Sequence, residues 1–600
     1  MRKIYLGDLP EIEEQLGADI AAVKSADIFY PVVVVVPSNL AGVYLRRALV
    51  RHSGSYCGVR FLTTADLAAG LAEKDEGYLQ RRVLPPFGER WLAALVAREA
   101  AGGYFGPVAG SPGFCEALRQ TFQELENAGL EQLPSLPGGD PRRTAELRRL
   151  YALYRKLSSP FAGGEAVFKA ALLSVPADPF MLALYGIYQL SAFEKKLLAA
   201  LAEHSGAAVY WQRSAASFAP TKELLHWFEE QGFTAEPLAL RERSTNLAVL
   251  QQHLFQHPPA DSASREADES LQFICAPDEI GEVEEITREI ISLARGGLRF
   301  GEMAVLSPGR TYAGLLRENL AAAGVPCYLA GGLPLAQTRT GRSFLLLLKL
   351  AGGDYPRQKV MELLSDGPFD YRRVLGSVEE VSPALWDRLS AEAGVIKGRR
   401  QWRESLERYR RRLQAVPQAA PEAGEKRSLE ELFQVELLLD FLGKFFGAMD
   451  RFQGARSWGD LTAAAAALVE RFFYPGEERE VLRQLLKKLQ RLDECGGEFM
   501  FKPALELLQS ALQSASLPRG KFQQEGVNLV PLSAAAGLSF TALFIPGLVE
   551  RSIPAPAKPD PLLPETERLA LSGKLPLRRH KLAQEALRFI LALGGATKKV

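Results

Sequence analysis

The chain has 600 residues, and its 72 Lys and Arg against 71 Asp and Glu leave a net charge of +1. Apolar residues make up 47% and charged residues 24%, an ordinary globular profile that excludes a disordered tail, a collagen and an overtly basic nucleic-acid-binding protein. The five cysteines are scattered without a C-x-x-C pair, and no apolar run approaches the ~20 residues that cross a bilayer. We therefore expect a cytoplasmic protein with reduced thiols and no membrane partner.

The first predicted region is a parallel sheet. Val32 to Val36 is an unbroken β-branched run, which predicts a central strand covered on both faces. A helix is predicted over 40–52, and further strands are predicted over 59–62, 181–186 and 207–211. Residues at about 75–175 have helical spacing and interrupt the sheet. We assign residues 1–245 to an N-terminal domain with a helical insertion at about 75–175.

The rest of the chain repeats this arrangement. Residues 257–270 are polar and rich in turn-forming residues, and we predict a linker over 246–270. The predicted strands of this part flank a long helical zone and lie at 273–276, 303–306, 326–329, 527–530 and 542–545. We assign 271–345 plus 521–600 to a second domain and 346–520 to its helical insertion. The predicted fold class is therefore α/β, with two parallel-sheet domains that each carry a helical insertion.

A parallel-sheet protein of this kind invites a nucleotide-binding interpretation, and the phosphate loop tests it. That loop needs G-x-x-x-x-G-K-[ST], because backbone N–H groups cradle the phosphates while Lys neutralises their charge. No such string occurs in the sequence. The predicted strand at Val32 is followed by Pro37-Ser38-Asn39 instead. We therefore do not expect autonomous ATP hydrolysis.

Several segments, taken in order, are similar to a known family. The N-terminal segment 32–63 resembles that of the B subunit of AddAB-type helicase–nucleases, and Tyr185 to Ser191 is similar to that family's second-motif segment. Residues 302–332 resemble the second motor domain of UvrD-like superfamily 1 helicases. The most specific match is Val527 to Phe540, which looks like helicase motif V, and residues 544–563 continue the pattern. The resemblance spans nearly the whole chain and implies two RecA-like domains.

The sequence departs from active members of that family where phosphoryl transfer needs specific groups. Ala536 and Ser539 stand where motif V of active relatives carries Lys and Glu. Tyr185-Gly186 replaces the acidic pair expected after the second-motif strand. The stretch after the motif VI-like helix, 593–596, holds no arginine finger. We interpret the chain as a degenerate, AddB-type subunit without its own ATPase.

The resemblance also implies a nuclease that this sequence lacks. AddB-like subunits usually carry a C-terminal PD-(D/E)xK nuclease with an iron–sulfur cluster held by cysteines. Metal-dependent nuclease chemistry needs clustered carboxylates, and no such cluster is evident. We therefore expect no cofactor in this chain, although the family uses ATP, magnesium and the cluster. Whether the sequence is a fragment or a natural short form stays open.

A dense basic segment is the main candidate for DNA contact. Positive density suits phosphates, and aromatic rings can stack on unpaired bases. The candidate DNA-binding residues of this segment are Arg399, Arg400, Trp402, Arg403, Arg408, Arg410, Arg411 and Arg412. The alternative is a solvated helix that pairs its charges internally at i,i+4.

The motif V-like loop adds two candidates. In superfamily 1 relatives this loop lies along the DNA strand, so the resemblance implies contacts from Ser533 and the backbone at Gly537. Gly537 equally suits a tight turn with no ligand.

Three hypotheses follow. The first is a DNA-binding, catalytically silent subunit of a bacterial double-strand-break repair complex, paired with an AddA-like helicase–nuclease subunit as a heterodimer. The second is an active ATP-dependent helicase with atypical motifs. The third is a scaffold that uses the old cleft for protein contacts only.

Overall fold

The computed structural model is a mixed α/β protein with two six-stranded sheets of parallel strands, which confirms the predicted fold class. It describes residues 2–54, 56–134, 136, 139–216, 218–239, 245–255, 268–376, 381–415, 422–571 and 575–600, without the side chains of 52, 53, 219, 310 and 422–428. No helix among these residues has the length and apolar character needed to cross a membrane.

The first sheet and its helices use most of the first 250 residues. The strands and helices up to α4 are β1 (Lys3–Gly7), α1 (Leu9–Ala26), β2 (Val32–Val35), α2 (Asn39–Ser53), β3 (Val59–Leu62), α3 (Thr64–Ala72) and α4 (Glu76–Leu79). The next are β4 (Arg82–Val83), α5 (Gly88–Arg98), α6 (Pro112–Asn127), α7 (Pro141–Ser158), β5 (Phe161–Ala162) and α8 (Gly164–Leu173). Then follow β6 (Met181–Tyr185), α9 (Ala192–His204), β7 (Gly206–Gln212), α10 (Arg213–Ala216), α11 (Ala219–Glu230), β8 (Thr234–Pro237) and α12 (Asn246–His253).

The second sheet is split by a long helical region. Before it lie α13 (Glu279–Arg295), β9 (Met303–Ser307), α14 (Arg310–Ala322) and β10 (Cys327–Pro334). The helical region holds α15 (Arg339–Ala351), α16 (Arg357–Asp366), α17 (Tyr371–Leu375), α18 (Pro383–Glu392), α19 (Arg399–Gln414), α20 (Glu422–Gln453), α21 (Trp458–Phe472), α22 (Glu477–Gln490) and α23 (Phe501–Ser514). The sheet resumes with β11 (Ser516–Arg519), β12 (Val527–Pro531), β13 (Phe540–Phe544), α24 (Glu565–Ala570), α25 (Arg578–Leu593) and β14 (Ala596–Lys599).

The first sheet has the order β3-β2-β6-β7-β1-β8, with every neighbouring pair parallel. Its valine-rich strand β2 is buried on both faces, as the sequence predicts. Val32 and Val34 lie in one hydrophobic core, and Val33 and Val35 lie in a second core on the opposite face. This division follows from the two-residue period of a strand.

The second sheet has the order β11-β10-β12-β9-β13-β14, and its strands pair in parallel from β10 to β14. It shares a core with the first sheet. Ala304, Leu306, Val530 and Leu543 belong to the same buried cluster as Val32 and Val34, with side chains of α1 and α2. The two sheets are therefore joined by apolar packing.

The chain divides into two compact units whose boundaries differ from the sequence-based domains. The first unit contains the first sheet and most of the second, and it comprises Met1–Val83, Gln120–Ala330 and Arg519–Val600. The second unit comprises Leu84–Arg119 and Gly331–Pro518, so part of the predicted 75–175 insertion groups with the later helical region. Aromatic packing explains that grouping, because the Trp91 ring lies 5.0 Å from Trp458 and 6.2 Å from Phe499, centroid to centroid.

The predicted linker is partly helical. Residues 246–253 form α12, whose N-cap Thr245 accepts a hydrogen bond from the Ala248 N–H. Leu247 is buried in the core that the two sheets share, so this helix packs against the folded protein and is not part of an extended linker. The linker prediction overlooked this short apolar segment because polar residues surround it. Residues 256–267 of the predicted linker lie outside the described residues.

Candidate nucleic-acid interface and nucleotide crevice

Strand order locates the place where a parallel sheet of this kind would hold a ligand. Ligands bind outside the carboxyl ends of the strands where neighbouring connections leave in opposite directions. From β1 the chain crosses to β2, and from β7 it crosses to β8 on the other side of β1. The same rule applies to the neighbours β2 and β6, which lead to β3 and β7. The crevice at the first strand lies beyond Gly7 at the end of β1 and Gln212 at the end of β7.

Protein side chains fill that crevice. The Arg213 guanidinium donates from Nη2 to the carbonyl oxygens of Leu6 at 3.3 Å and Leu238 at 2.6 Å, so it bridges the ends of β1 and β8. A Cβ at Gly7 would lie 3.0 Å from Leu238 Cδ1, which shows how closely this side chain covers the turn. A nucleotide does not fit there without displacing both residues.

The turn after β1 also lacks the groups that bind phosphate. A phosphate loop presents several free N–H groups at a helix N-terminus. Here only Asp8 separates β1 from α1, and Pro10 in the first turn has no N–H to donate. Asp8 and Glu11 add negative charge at the same helix end, which opposes the approach of a phosphate. ATP and magnesium therefore do not fit this turn.

A buried carboxyl group connects the two sheets nearby. Glu13 of α1 is 4% exposed, and its Oε1 accepts hydrogen bonds from the hydroxyls of Tyr44 at 2.8 Å and Tyr185 at 3.1 Å. The Tyr185 hydroxyl also lies 3.3 Å from the carbonyl oxygen of Gly537 in the motif V-like loop. Burial raises the pKa of Glu13 to about 7, against the opposing effect of the two tyrosine hydrogen bonds.

A second contact, at the end of α25, joins the first sheet to the residues that precede β14 of the second sheet. A Cβ at Gly594 would lie 1.6 Å from Gln212 Nε2, so the amide of Gln212 occupies the space that any larger residue at 594 would need. The resemblance places the missing arginine finger just after this helix. The structure has Gly594 and Gly595 at that point, packed against Gln212 and the Leu538 carbonyl.

The basic segment forms helix α19, and its aromatic candidate is buried. Trp402 has no exposed surface, and its indole N–H donates to the Tyr355 carbonyl at 3.0 Å. The prediction that Trp402 stacks on bases is therefore wrong, because its spacing from Leu406 and Tyr409 defines the apolar face of the helix. Arg399 is also structural, since it pairs with Asp450 and lies 4.5 Å from the Tyr355 ring centroid.

The other arginines of α19 divide into paired and unpaired groups. Arg400 pairs with Glu404 at 2.6 Å, which lowers the pKa of Glu404, and Arg403 pairs with Glu407 at 3.8 Å. Arg408 is exposed and bonds to Glu404 and Ser405 of its own helix, and Arg410 is half-buried.

Arg411 and Arg412 are exposed in the last turn of α19, and no carboxylate pairs with them among the described residues. The internal pairing alternative thus holds for part of the helix and not for its end.

The motif V-like loop gives a mixed outcome. Ser533 is exposed and lies just after β12, a position open to a ligand. Gly537 is buried, has φ +74°, and a Cβ there would lie 2.9 Å from Tyr185 Cε1. Gly537 therefore serves the tight turn, and its carbonyl accepts the Tyr185 hydroxyl, while a DNA contact by its backbone stays a prediction. Ser533 belongs to the first compact unit and α19 to the second.

Sequence reasoning missed the residues that close the crevice, namely Glu13, Tyr44, Gln212 and Arg213. The signal for β1 was available, since Ile4-Tyr5-Leu6 is a short apolar run before Gly7 and a Pro-containing helix start. The contacts across the crevice carried no local signal. A search for groups of three metal-ligating side chains finds none among the described residues.

Comparison with known proteins adds no assignment. The fold and the site define an α/β protein with two joined parallel sheets, a filled crevice and the arginine-rich helix α19. A scan against models of protein families gives no match. A search of curated proteins gives no match either. The family resemblance therefore depends on the motifs quoted above.

Proposed function

We propose that this chain is a DNA-binding, helicase-like subunit of a bacterial double-strand-break repair complex and has no ATPase of its own. It would act in the cytoplasm with a separate AddA-like helicase–nuclease subunit that supplies the motor. The ordered motif resemblance motivates the family, and the two parallel sheets are compatible with it.

The observation that carries the proposal is the closed crevice. Tyr185 stands where active relatives place acidic residues, and it is fully buried. Its hydroxyl contacts the Glu13 carboxylate of α1, beside the first sheet, and the Gly537 carbonyl in the loop between β12 and β13 of the second sheet. Arg213 occupies the carboxyl ends of β1 and β8. An active helicase must open and close this crevice around a nucleotide in each catalytic cycle. In this chain the packed side chains of Tyr185 and Arg213 occupy the crevice.

DNA contact is supported by the end of α19. Arg411 and Arg412 are exposed cations in the last helical turn, next to the exposed Arg408. A helix C-terminus favours basic residues for electrostatic reasons alone, so the cluster must be tested against that simpler role. Phosphate binding makes a distinct prediction, because it depends steeply on salt.

The test is binding of a fluorescein-labelled single-stranded oligonucleotide to the full chain, measured by anisotropy from low to moderate salt. We expect binding whose log affinity falls linearly with log salt. The double variant Arg411→Ala/Arg412→Ala should bind more weakly and lose about 0.7 of slope for each phosphate contact removed. The matched control is Arg372→Ala/Arg373→Ala on α17, two exposed arginines of the same unit. If the two double variants show the same affinity and the same salt slope, the end of α19 does not contact the oligonucleotide.

ATP turnover separates the alternatives. We expect no hydrolysis by the clean full chain with magnesium, with or without single-stranded DNA. Turnover stimulated by DNA would instead establish the active helicase with atypical motifs. Absence of any salt-dependent DNA binding would favour the protein-contact scaffold.

A further inference from the structure

The outer strands of the two sheets differ in how their free backbone groups are protected. An exposed strand edge can pair with another chain, and proteins usually block it with proline, charge or a covering segment. β8 contains Pro237 and Glu236, and β11 contains Pro518. The end of β14 is covered, because the Val600 N–H donates to Ser270 and the Gln272 N–H donates to Val600, both at 2.9 Å.

Strand β3 has neither a proline nor a covering segment among the described residues, and its one charged side chain is the exposed Arg60. It is the outermost strand and pairs only with β2. Val32 N–H donates to the Gly58 carbonyl at 3.1 Å and Val36 N–H donates to the Leu62 carbonyl at 2.9 Å, so even-numbered residues of β3 face β2. The N–H and C=O groups of Val59 and Phe61 consequently point away from the sheet.

Apolar side chains surround this open edge. The Phe29 side chain is 80% exposed and that of Ile28 is 57% exposed. The thiol of Cys57, two residues before β3 begins, donates to the Ile28 carbonyl at 3.2 Å and holds this segment beside the strand. On α2, Val43 is exposed three residues before Arg46, whose guanidinium lies 5.6 Å from the Phe61 ring centroid. We call Val59–Leu62 with Ile28, Phe29, Val43 and Arg46 the β3 edge.

The charge at the β3 edge is positive. Arg60 and Arg46 are exposed, and no described carboxylate forms an ion pair with either of them. Lys24 Nζ lies at the start of the strand, where it donates to the Tyr30 carbonyl at 2.6 Å. Asp27 and Asp66 are the nearby opposing charges. Asp27 accepts the Phe29 N–H, and Asp66 accepts the hydroxyl of Thr63, the residue after the strand, at 2.7 Å. The three cations outnumber the two carboxylates, so acidic side chains would be attracted to this edge.

We propose that the β3 edge binds an extended, acidic segment of a partner protein by adding it as a further strand of the first sheet. Main-chain hydrogen bonds to Val59 and Phe61 would give the pairing, and apolar side chains of the segment would lie against Phe29 and Val43. A second copy of this chain fits less well, because antiparallel pairing of two β3 edges brings Arg60 and Arg46 against their own counterparts. This proposal does not depend on DNA binding or on the helicase family.

The test uses a short fluorescein-labelled peptide that alternates glutamate with valine, and a matching peptide that alternates lysine with valine. We expect the acidic peptide to bind the full chain saturably and the lysine peptide to bind far more weakly. Arg60→Glu should weaken the acidic peptide by about tenfold or more and improve the lysine peptide. Lys222→Glu, an exposed charge reversal on α11, is the matched control and should change neither.

The backbone part of the proposal is tested separately. Phe61→Pro removes the outward N–H, and Phe61→Val keeps it, so only the first should abolish peptide binding. Hydrogen exchange of the amides of Val59 and Phe61 should slow when the acidic peptide is added, and this measurement decides the case even if Phe61→Pro does not fold. Absence of peptide binding, indifference to Arg60→Glu, or protection confined to other strands would overturn the proposal. Protection of these amides by self-association or by an oligonucleotide instead of the peptide would also overturn it.

Discussion

Glu13 should make the stability of the first compact unit fall as pH rises. Its carboxyl group is buried, so burial raises its pKa to about 7, against 4.5 in an unfolded chain. Below pH 4.5 the group is neutral in both states and costs nothing. Between those values the unfolded chain releases the proton while the folded protein retains it, so the unfolded state is progressively favoured. The full difference is about 3 kcal/mol, at 1.36 kcal/mol for each pH unit.

The variant Glu13→Gln should remove this dependence. The amide oxygen can still accept the Tyr44 and Tyr185 hydroxyls, and the amide cannot ionise. We expect similar stability of the two proteins at pH 5 and a variant more stable by about 3 kcal/mol at pH 8. The measurement is urea unfolding at four pH values, followed by tryptophan fluorescence, with the midpoint difference between the proteins as the readout. Because the two proteins differ only at residue 13, the effects of all other titrating groups cancel in this midpoint difference.

Glu203→Gln provides the matched control. Glu203 is exposed on α9, and its replacement should leave the pH profile parallel to that of the natural protein. Parallel profiles for Glu13→Gln as well, between pH 5 and 8, would refute the argument that Glu13 is held neutral by burial.

Three further predictions concern packing. Gly537→Ala should destabilise the protein by about 1–3 kcal/mol, because φ is +74° and the new Cβ would press on a buried tyrosine ring, whereas Gly443→Ala in open space on α20 should stabilise it slightly; thermal unfolding measures both. Arg568→Met should cost about 3–5 kcal/mol in urea unfolding, because it leaves the largely buried Asp560 without its cation and Glu124 with Lys581 alone, while Arg588→Met on an exposed i,i+3 pair should cost less than about 1 kcal/mol. Trp402→Ala should cost about 3–5 kcal/mol of stability, because the ring is fully buried. The folded fraction of this variant should bind the oligonucleotide with unchanged affinity, and weaker binding by that fraction would contradict the buried position of the ring.

The strands with strong local patterns could be predicted from the sequence. The valine run of β2, the apolar stretch of β6 and the mostly apolar residues of β12 lie within a residue or two of their predicted positions. The strands β8 and β11 could not be predicted, because they are short, polar and contain proline. Their neighbours supply the hydrogen bonds that define them, and those neighbours are far away in sequence.

The site was predicted less well than the fold. Trp402 was assigned to the DNA surface although its spacing from Leu406 already marks a buried face, so local periodicity would have corrected that prediction. The closure by Glu13, Tyr185 and Arg213 is different. It joins Glu13 to Tyr185, which lies 172 positions later, and Leu6 to Arg213, which lies 207 positions later, and no spacing rule connects these pairs.

The division of the chain between the two compact units has a consequence for its synthesis. The polypeptide passes from one unit to the other at residues 83–84, 119–120, 330–331 and 518–519. On a ribosome, the α5 segment would emerge several hundred residues ahead of Trp458 and Phe499, against which Trp91 packs. Neither unit can reach its final state before most of the polypeptide has been made, so apolar surface that emerges early stays uncovered until then, and simple truncations should yield aggregation-prone fragments.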